Sequence, residues 1–393
     1  MEVDYMYDFE NSIDRRKTDS IKWDVKDNEL PMWVADMDFK TAPEIVEAIH
    51  EKADQKIFGY EEAGKAYFNA VAGWYEKEHD FRPQTDWMMF VTGVVPAISS
   101  IVRRVTSIGD NVLVQAPVYN IFYNSIVNNG RHVVSSDLVF DNLAYQIDFK
   151  DLDEKLSDPL TTLMILCNPH NPVGKVWSRE ELTKIAELCN KHHVKLLSDE
   201  IHGDITFKPY TPAFSLDKDL VQNLMVCVSP SKTFNVAAIH AATIIVPNEN
   251  LREQVSRGIN SEELAEPNSF AMPVTIAAYE KGHEWVSELK QQILKNKQLV
   301  QEFLAKELPE VKLVPSEATY LLWMDTGAIS DDSKELAGFI RSKTGLYLSS
   351  GDVYGGNGYD FLRMNIACPI STVKDGLNRL KQGIDMKKES SAK

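Results

Sequence analysis

The stretch Ser229-Pro-Ser-Lys-Thr-Phe-Asn235 follows the apolar run Leu224 to Val228 and precedes the small, apolar residues 236–239. Its lysine, Lys232, stands at the end of a predicted buried strand, between two hydroxyl side chains and with no acidic neighbour. A lysine with its stem packed on a loop and its amine in water is the commoner meaning of such a pattern. A desolvated lysine, however, forms Schiff bases with carbonyl compounds, and pyridoxal phosphate (PLP) is the commonest of these. The pattern alone leaves both interpretations open.

Length and composition are those of a large, soluble globular protein. The 393 residues predict two or three domains, and 44% hydrophobic with 25% charged residues is typical of a packed, water-soluble fold. A formal net charge of −16, without a block of Lys and Arg, argues against nucleic-acid binding. The acidic N-terminal residues lack an apolar leader, and no run of about 18 apolar residues occurs, so we expect a cytoplasmic protein without a membrane segment.

The cysteines do not have the spacing of a metal site. Cys167, Cys189, Cys227 and Cys368 are widely separated, form no Cys-x-x-Cys pair and mostly lie in apolar runs. We therefore predict buried thiols rather than disulfides, and no metal.

Short apolar runs alternate with amphipathic helices between residues 88 and 246. The predicted strands are a run that begins at 88, then 111–115, 162–167, 194–197, 224–228 and 243–246. Ser178 and Glu181 form a capping-box pattern that marks the start of one intervening helix. Nearly continuous apolar strands joined by helices predict a mostly parallel sheet covered on both faces, in an α/β fold. Ligands of such sheets bind beyond the carboxyl ends of the strands, where Asn171, Asp199 and Lys232 all lie.

The C-terminal part of the chain has a different pattern. Long helices are predicted from about 265 to 307, and shorter strands and helices follow, the last helix ending near Met386. We therefore predict an N-terminal arm at 1–40 that packs with a small domain, a large cofactor-binding domain at 41–285, and a smaller α+β domain at 286–393.

Polar residues at the predicted strand ends fit the needs of one cofactor. PLP requires a lysine, a carboxylate beside its ring nitrogen, donors for its phosphate and an aromatic ring against its face. The candidates are Lys232, Asp199, Asn171 for the phenolate oxygen, Tyr119 for the ring face, and Gly93, Val94, Val95, Ser229 and Ser231 for the phosphate. Singly, Asp199 could cap a helix, Tyr119 could belong to the core, and Asn171 could fix a turn. Together, in this order and each beside an apolar strand, they favour the cofactor site.

Four motifs resemble the fold-type I PLP-dependent enzymes of the aminotransferase superfamily. They are Thr-Gly-Val-Val-Pro at 92–96, Asn-Pro-His-Asn-Pro-Val-Gly at 168–174, Ser-Asp-Glu-Ile-His at 198–202 and the lysine segment at 229–235. Residues 22–24 and 33–39 further resemble the MalY/PatB group of cystathionine β-lyases and cysteine–sulfur lyases. The resemblance covers nearly the whole chain and implies the PLP-dependent transferase fold.

The matched motifs imply roles for further residues. Arg363, in Phe-Leu-Arg-Met-Asn, falls where the family holds the substrate α-carboxylate, a task suited to a bidentate guanidinium. Tyr60 matches a tyrosine that the family sends across a dimer interface to the neighbouring phosphate, which implies a homodimer with shared active sites. His202 stands in the cofactor site where several aminotransferases have tyrosine. His240, eight positions after the lysine, replaces a phosphate-binding arginine that the lyase group also commonly lacks, and its role stays open.

The resemblance implies β-elimination from an L-amino acid that carries sulfur at Cβ, releasing thiol, pyruvate and ammonia. Lys232 would be the general base, and Tyr60, Tyr119 and His202 are candidates for the acid that protonates the leaving sulfur. An aminotransferase is the nearest alternative, since it begins with the same proton abstraction. A regulator that acts through protein contact, as MalY does, is a third.

Overall fold

A computed structural model of the chain describes residues 6–11 and 13–391. The strands are β1 (Leu30–Pro31), β2 (Met88–Val91), β3 (Asn111–Val114), β4 (His132–Ser135), β5 (Val139–Asp141), β6 (Ala144–Gln146), β7 (Thr161–Cys167), β8 (Lys195–Asp199), β9 (Leu224–Val228), β10 (Ala242–Ile245), β11 (Lys312–Leu313), β12 (Leu321–Asp325), β13 (Leu346–Tyr347), β14 (Ser349–Ser350) and β15 (Phe361–Asn365). The helices are α1 (Pro43–Asp54), α2 (Lys65–His79), α3 (Val94–Val105), α4 (Ile121–Val127), α5 (Phe149–Leu156), α6 (Arg179–Lys191), α7 (Glu249–Ser261), α8 (Ala271–Lys281), α9 (His283–Glu307), α10 (Ser333–Thr344) and α11 (Ile370–Ser391).

The large sheet has seven strands in the order β2-β10-β9-β8-β7-β3-β4. Only β10 runs antiparallel to its described neighbours, β2 and β9, and the remaining pairs are parallel. The prediction of a mostly parallel α/β sheet is therefore confirmed. The capping box predicted at Ser178 and Glu181 is also present at the start of α6.

Both faces of this sheet are buried, which explains its nearly continuous apolar strands. In β7, Leu163 and Ile165 join a core cluster that contains residues of α3 and α7, while Met164 and Leu166 join the cluster on the opposite face. Because successive strand residues point to opposite faces, a strand covered on both sides needs apolar residues at every position.

A second sheet lies in the C-terminal part, with its strands in the antiparallel order β11-β12-β15-β14. The aromatic rings of Trp323 and Phe361, on adjacent strands, stack with centroids 4.9 Å apart. The last helix continues to Ser391, so the predicted end near Met386 is wrong. An ion pair of 2.7 Å between Lys387 and Glu335 ties this last part of α11 to α10.

The N-terminal segment contacts the C-terminal part through its backbone. β1 pairs with β13 in parallel, and the side-chain amide of Asn365 donates to the carbonyls of Val34 and Asp36, each at 2.6 Å. The division of the chain at residues 40 and 285 stays a prediction, and the second boundary falls in the first turn of α9.

The cysteines Cys167, Cys189, Cys227 and Cys368 are free and buried, as predicted. Within the described part of the chain, no helix combines the length and apolarity that a membrane crossing requires. The same residues contain no group of three or more His, Cys, Asp or Glu side chains arranged to hold a metal ion.

A buried ion pair holds the segment that reaches the carboxyl edge of the large sheet. Lys22 is 1% exposed, and its amine lies 2.8 Å from Oδ2 of Asp38. The indole nitrogen of Trp23 donates to the other oxygen of that carboxylate at 2.8 Å. Residues 33–37 lie between β1 and Asp38, and the pair thereby anchors the C-terminal end of this segment.

Replacement of Lys22 by methionine is expected to lower the free energy of unfolding by about 3 kcal/mol, because Asp38 stays buried with a weakened set of partners. Denaturant titration at neutral pH measures this change. Arg82→Met is the matched control, since it removes the exposed pair with Glu76 (2.7 Å) and should change stability by less than about 1 kcal/mol. Equal losses in the two variants would contradict the structural role of the buried pair.

Candidate active site

A cavity of about 250 Å³ opens at the carboxyl edge of the large sheet. It is lined by Ala35, Gly93, Val94, Val95, Pro96, Tyr119, Cys167, Asn171, Asp199, Ile201, His202, Ser229, Ser231, Lys232, Ala237, His240 and Ala241. The structure thus brings together the candidates for the cofactor from five separate strand ends. Tyr60 is the candidate that does not line the cavity.

Lys232 follows β9 with its amine withdrawn from water. The amine donates to the carbonyl oxygen of Ala35 at 2.8 Å. Burial lowers its pKa, while the carboxylate of Asp36 acts in the opposite direction. The hydroxyl of Tyr320 donates to the same carbonyl at 3.2 Å. Ala35 and Tyr320 were missed in the sequence reasoning, although the 33–39 segment stood out there as part of the family resemblance.

Asp199 is the last residue of β8 and lies on the cavity wall. Burial raises the pKa of its carboxyl to about 7, although the backbone N–H of Ile201, at 3.2 Å, and the nearby Lys232 act in the opposite direction. A buried carboxylate gains most from a cation placed beside it. The site therefore offers a strong acceptor to a protonated ring nitrogen.

The turn between β2 and α3 forms an anion cradle. Gly93 has φ of +148°, and a Cβ at this position would lie 3.3 Å from Cδ of Pro96. The first N–H groups of α3, among them those of Val94 and Val95, have no acceptor within the helix and point toward its N-terminal end. This arrangement suits a phosphate.

Two serines extend the cradle. Oγ of Ser229 lies 2.7 Å from the carbonyl oxygen of Ala241 and 2.9 Å from Oγ of Ser231. Because a carbonyl only accepts and a hydroxyl has one hydrogen, Ser229 donates to Ala241. In the 2.9 Å contact Ser231 is then the donor and Ser229 the acceptor, and a rotation of the Ser231 hydroxyl would turn its hydrogen toward a ligand oxygen.

Arg363, on β15 of the second sheet, does not line this cavity but contacts Asn171 on its wall. Its Nη1 donates to Oδ1 of Asn171 at 3.1 Å, and its Nη2 donates to the carbonyl of Trp33 at 2.8 Å. Its Nε is buried and has no partner among the described residues. Since Asn171 accepts through Oδ1, its amide nitrogen is left to donate to a ligand.

Arg363 lines a second cavity of about 870 Å³. Four residues border both spaces, namely Ala35, Tyr119, Lys232 and Ala237. The two cavities therefore meet at the lysine.

The other candidates differ in exposure. Burial raises the pKa of Tyr119 to about 12, with Asp199 contributing, and burial lowers the pKa of His202 to about 3. Nδ1 of His202 is buried without a partner in the described part of the chain. His240 lines the cavity but is exposed. Tyr60 is 99% exposed, in an extended segment beside the exposed Phe58.

The residues present fit PLP. The cavity combines a desolvated amine, a buried carboxyl in need of a cation, an anion cradle and an unpaired imidazole nitrogen. Each of these features costs stability in the protein alone, and each matches a group of the cofactor.

Residues 29–380 match the family Aminotransferase class I and II. This match, together with the lysine, the carboxylate and the anion cradle at the strand ends, defines a PLP-dependent enzyme of fold type I. The chain belongs to that family. Within it, the chain belongs with the cystathionine β-lyases of the MalY/PatB group, as the following relative shows.

The chain is 42% identical to cystathionine β-lyase PatB of Bacillus subtilis over 385 residues, which cover 96% of this chain and 99% of PatB. Two crystal structures share its fold. Cystalysin from Treponema denticola, which contains a pyridoxal 5'-phosphate cofactor, is 32% identical with a TM-score of 0.94 and covers 97% of this chain and 100% of its own. The PLP-bound C-S lyase from Staphylococcus hominis is 31% identical with a TM-score of 0.90 and covers 98% and 99%.

The raised pKa of Asp199 predicts how the cofactor-free protein responds to pH. The folded state holds this proton up to about pH 7, whereas an unfolded aspartate releases it near the ordinary value of 3.8. Between these values the unfolded state binds fewer protons, so stability falls as pH rises, by up to about 4 kcal/mol. Asp199→Asn removes the titration and keeps the shape of the side chain.

Denaturant titrations of cofactor-free wild type and Asp199→Asn from pH 5 to pH 8 test this. The variant should gain stability relative to the wild type as pH rises and level off above about pH 7. A difference that stays constant across this range would contradict the buried, neutral carboxyl.

Proposed function

We propose that this protein is a PLP-dependent carbon–sulfur β-lyase, which releases thiol, pyruvate and ammonia from L-amino acids with a sulfur substituent at Cβ. The observation that carries the proposal is that Lys232 borders two adjoining cavities, one lined by the buried Asp199 and the other by Arg363. The relatedness to a cystathionine β-lyase over nearly the full length of both chains supports the choice of reaction.

Different cavity residues would bind different parts of the cofactor. When bound, PLP supplies an aldehyde for amines and a ring that accepts electrons from Cα. Asp199 would pair with its ring nitrogen, Asn171 would donate to its phenolate oxygen, and Tyr119 would pack against its ring. The turn at Gly93 and the hydroxyl of Ser231 would hold its phosphate. His202 contributes a neutral imidazole to the same wall.

Arg363 and Lys232 act on the substrate. Two donors of the guanidinium bind the α-carboxylate, and the contacts of Arg363 to Asn171 and Trp33 fix its orientation. The amine of Lys232 would act as the base that removes the proton from Cα of the substrate. Its lowered pKa leaves more of it in the neutral form that a base requires.

Tyr119 is the best-placed acid for the leaving sulfur within this chain. Its pKa of about 12 keeps the phenol protonated at neutral pH. His202, with a pKa of about 3, is neutral at that pH, so it does not hold the extra proton that an acid would donate. The hydroxyl of Tyr119 therefore donates a hydrogen bond to the sulfur as charge develops there.

Transamination uses the same residues for its first proton transfer, so an assay must separate the two reactions. Purified protein with L-cystathionine and no added keto acid should release pyruvate and thiol in equal amounts. Lys232→Ala should reduce this by at least about a thousandfold, because the base is lost. Tyr75→Phe, on a buried residue outside the cavity, is the control and should retain activity. Conversion of the cofactor to its amine form without thiol release would establish an aminotransferase instead.

The exposed segment around Tyr60 supports a homodimer with shared active sites. Ile57, Phe58 and Tyr60 are 76%, 56% and 99% exposed, which is costly for large apolar side chains next to one another in water. A second copy that covers this segment would bring Tyr60 to the phosphate of the neighbouring cavity. We place this dimer in the cytoplasm, in keeping with the acidic composition and the unpaired thiols.

Mixed dimers test the shared site. Lys232→Ala and Tyr60→Ala are each expected to be inactive, but a hybrid dimer has one cavity with both residues intact. After equal amounts are unfolded and refolded together, about one quarter of wild-type activity should return, since half the dimers are hybrids with one good site each. Size-exclusion chromatography confirms the dimer. No recovery from a mixture that contains hybrid dimers would rule out the sharing of Tyr60.

A further inference from the structure

The second cavity extends well beyond the space that an amino-acid head group needs. Arg363 and Lys232 border it, and so do residues of α10. If Arg363 holds the α-carboxylate and Lys232 meets the amine, the substituent at Cβ has this space open to it. The lining therefore decides which leaving groups are accepted.

One wall is a rigid stack. The rings of Trp33 and Tyr347 are 4.9 Å apart at an interplanar angle of 16°, and the guanidinium of Arg341 lies 3.7 Å from the centroid of Tyr347. Glu29 accepts from two nitrogens of Arg341, at 2.9 and 2.8 Å. The charge of Arg341 is thus already compensated, and its plane extends an aromatic surface suited to methylene groups.

Lys334, in the first turn of α10, supplies an uncompensated charge. It lines the cavity, is exposed, and has no hydrogen bond or ion pair among residues 6–11 and 13–391. The acidic lining residue, Asp36, is already paired with Arg15 at 2.9 Å and with Lys22 at 3.6 Å. Among the lining residues, Lys334 is therefore a positive charge that is not paired with a carboxylate.

We propose that Lys334 forms a distal subsite for a carboxylate on the leaving thiol, so that the preferred substrates are cysteine thioethers with a short methylene chain that ends in an acid. The methylenes lie against the stack of Trp33 and Tyr347, and the terminal carboxylate pairs with the amine of Lys334. This inference rests on the proposed function for the placement of the α-carboxylate at Arg363.

The test uses an inert probe. 3,3'-Thiodipropionate carries two carboxylates and no amino group, so it cannot be turned over, and its monoamide keeps one carboxylate for Arg363. Calorimetric titration of the cofactor-loaded protein should show the diacid binding about tenfold more tightly. About twofold of this is statistical, because either end of the symmetric diacid can meet Arg363, and about fivefold is the pairing with Lys334.

Lys334→Gln should reduce the tenfold preference to about twofold. Lys343→Gln removes another exposed lysine from α10, one that does not line the cavity, and should keep the wild-type ratio. Raised salt should lower the preference of the wild type for the diacid toward the twofold statistical value, and no further. A twofold ratio in the wild type, or a tenfold ratio that survives in Lys334→Gln, would overturn the subsite.

The outcome is separable from the lyase assay. If the protein releases no pyruvate from cystathionine but shows the Lys334-dependent preference, the proposed reaction is wrong and the subsite is supported. If it releases pyruvate but binds diacid and monoamide with only the statistical difference, the reaction is supported and the subsite is wrong.

Discussion

Desolvation of the amine of Lys232 is the constraint on which the rest of the site depends. Its hydrogen bond to the carbonyl of Ala35 partly offsets the loss of water, and the remaining cost appears as a lowered pKa. Asp199, in the same cavity, bears the opposite shift for the same reason. Two ionisable groups with such opposite pKa shifts in one cavity are typical of a functional site, where a ligand with complementary charges offsets their desolvation.

The N-terminal segment supplies backbone carbonyl groups to two side chains at the cavities. Residues 33–37 provide backbone carbonyls to Lys232 and to Arg363, and this backbone is held by Asn365 from the second sheet and by the buried pair of Lys22 and Asp38. Lys232 and Arg363 therefore share one backbone support, and a shift of this segment would alter the surroundings of both side chains.

The walls of the two cavities come from different parts of the chain. Strand ends of the large sheet surround the smaller space, whereas the second sheet, α10 and the N-terminal segment line the larger one. In the proposed function the first set of residues binds the cofactor, which is common to the family. The second set would contact the substrate, so differences among related enzymes are expected there, at residues such as Lys334 and Tyr347.

The residue pattern was enough to predict the α/β sheet and the position of Asn171, Asp199 and Lys232 at its carboxyl edge, because parallel strands bring their carboxyl ends together whatever the loops do. It also determined the helix start at Ser178, which depends only on neighbours three residues apart. Motif resemblance, rather than any pattern of spacing, pointed to Arg363 and Tyr60. Three features could be seen only once the chain was folded. Ala35 accepts from Lys232, 197 residues away, and Asn171 accepts from Arg363, 192 residues away. Lys334 lines the same cavity as Arg363. Local periodicity records which face of an element is buried, and it carries no information about which distant backbone or side chain will be packed against that face.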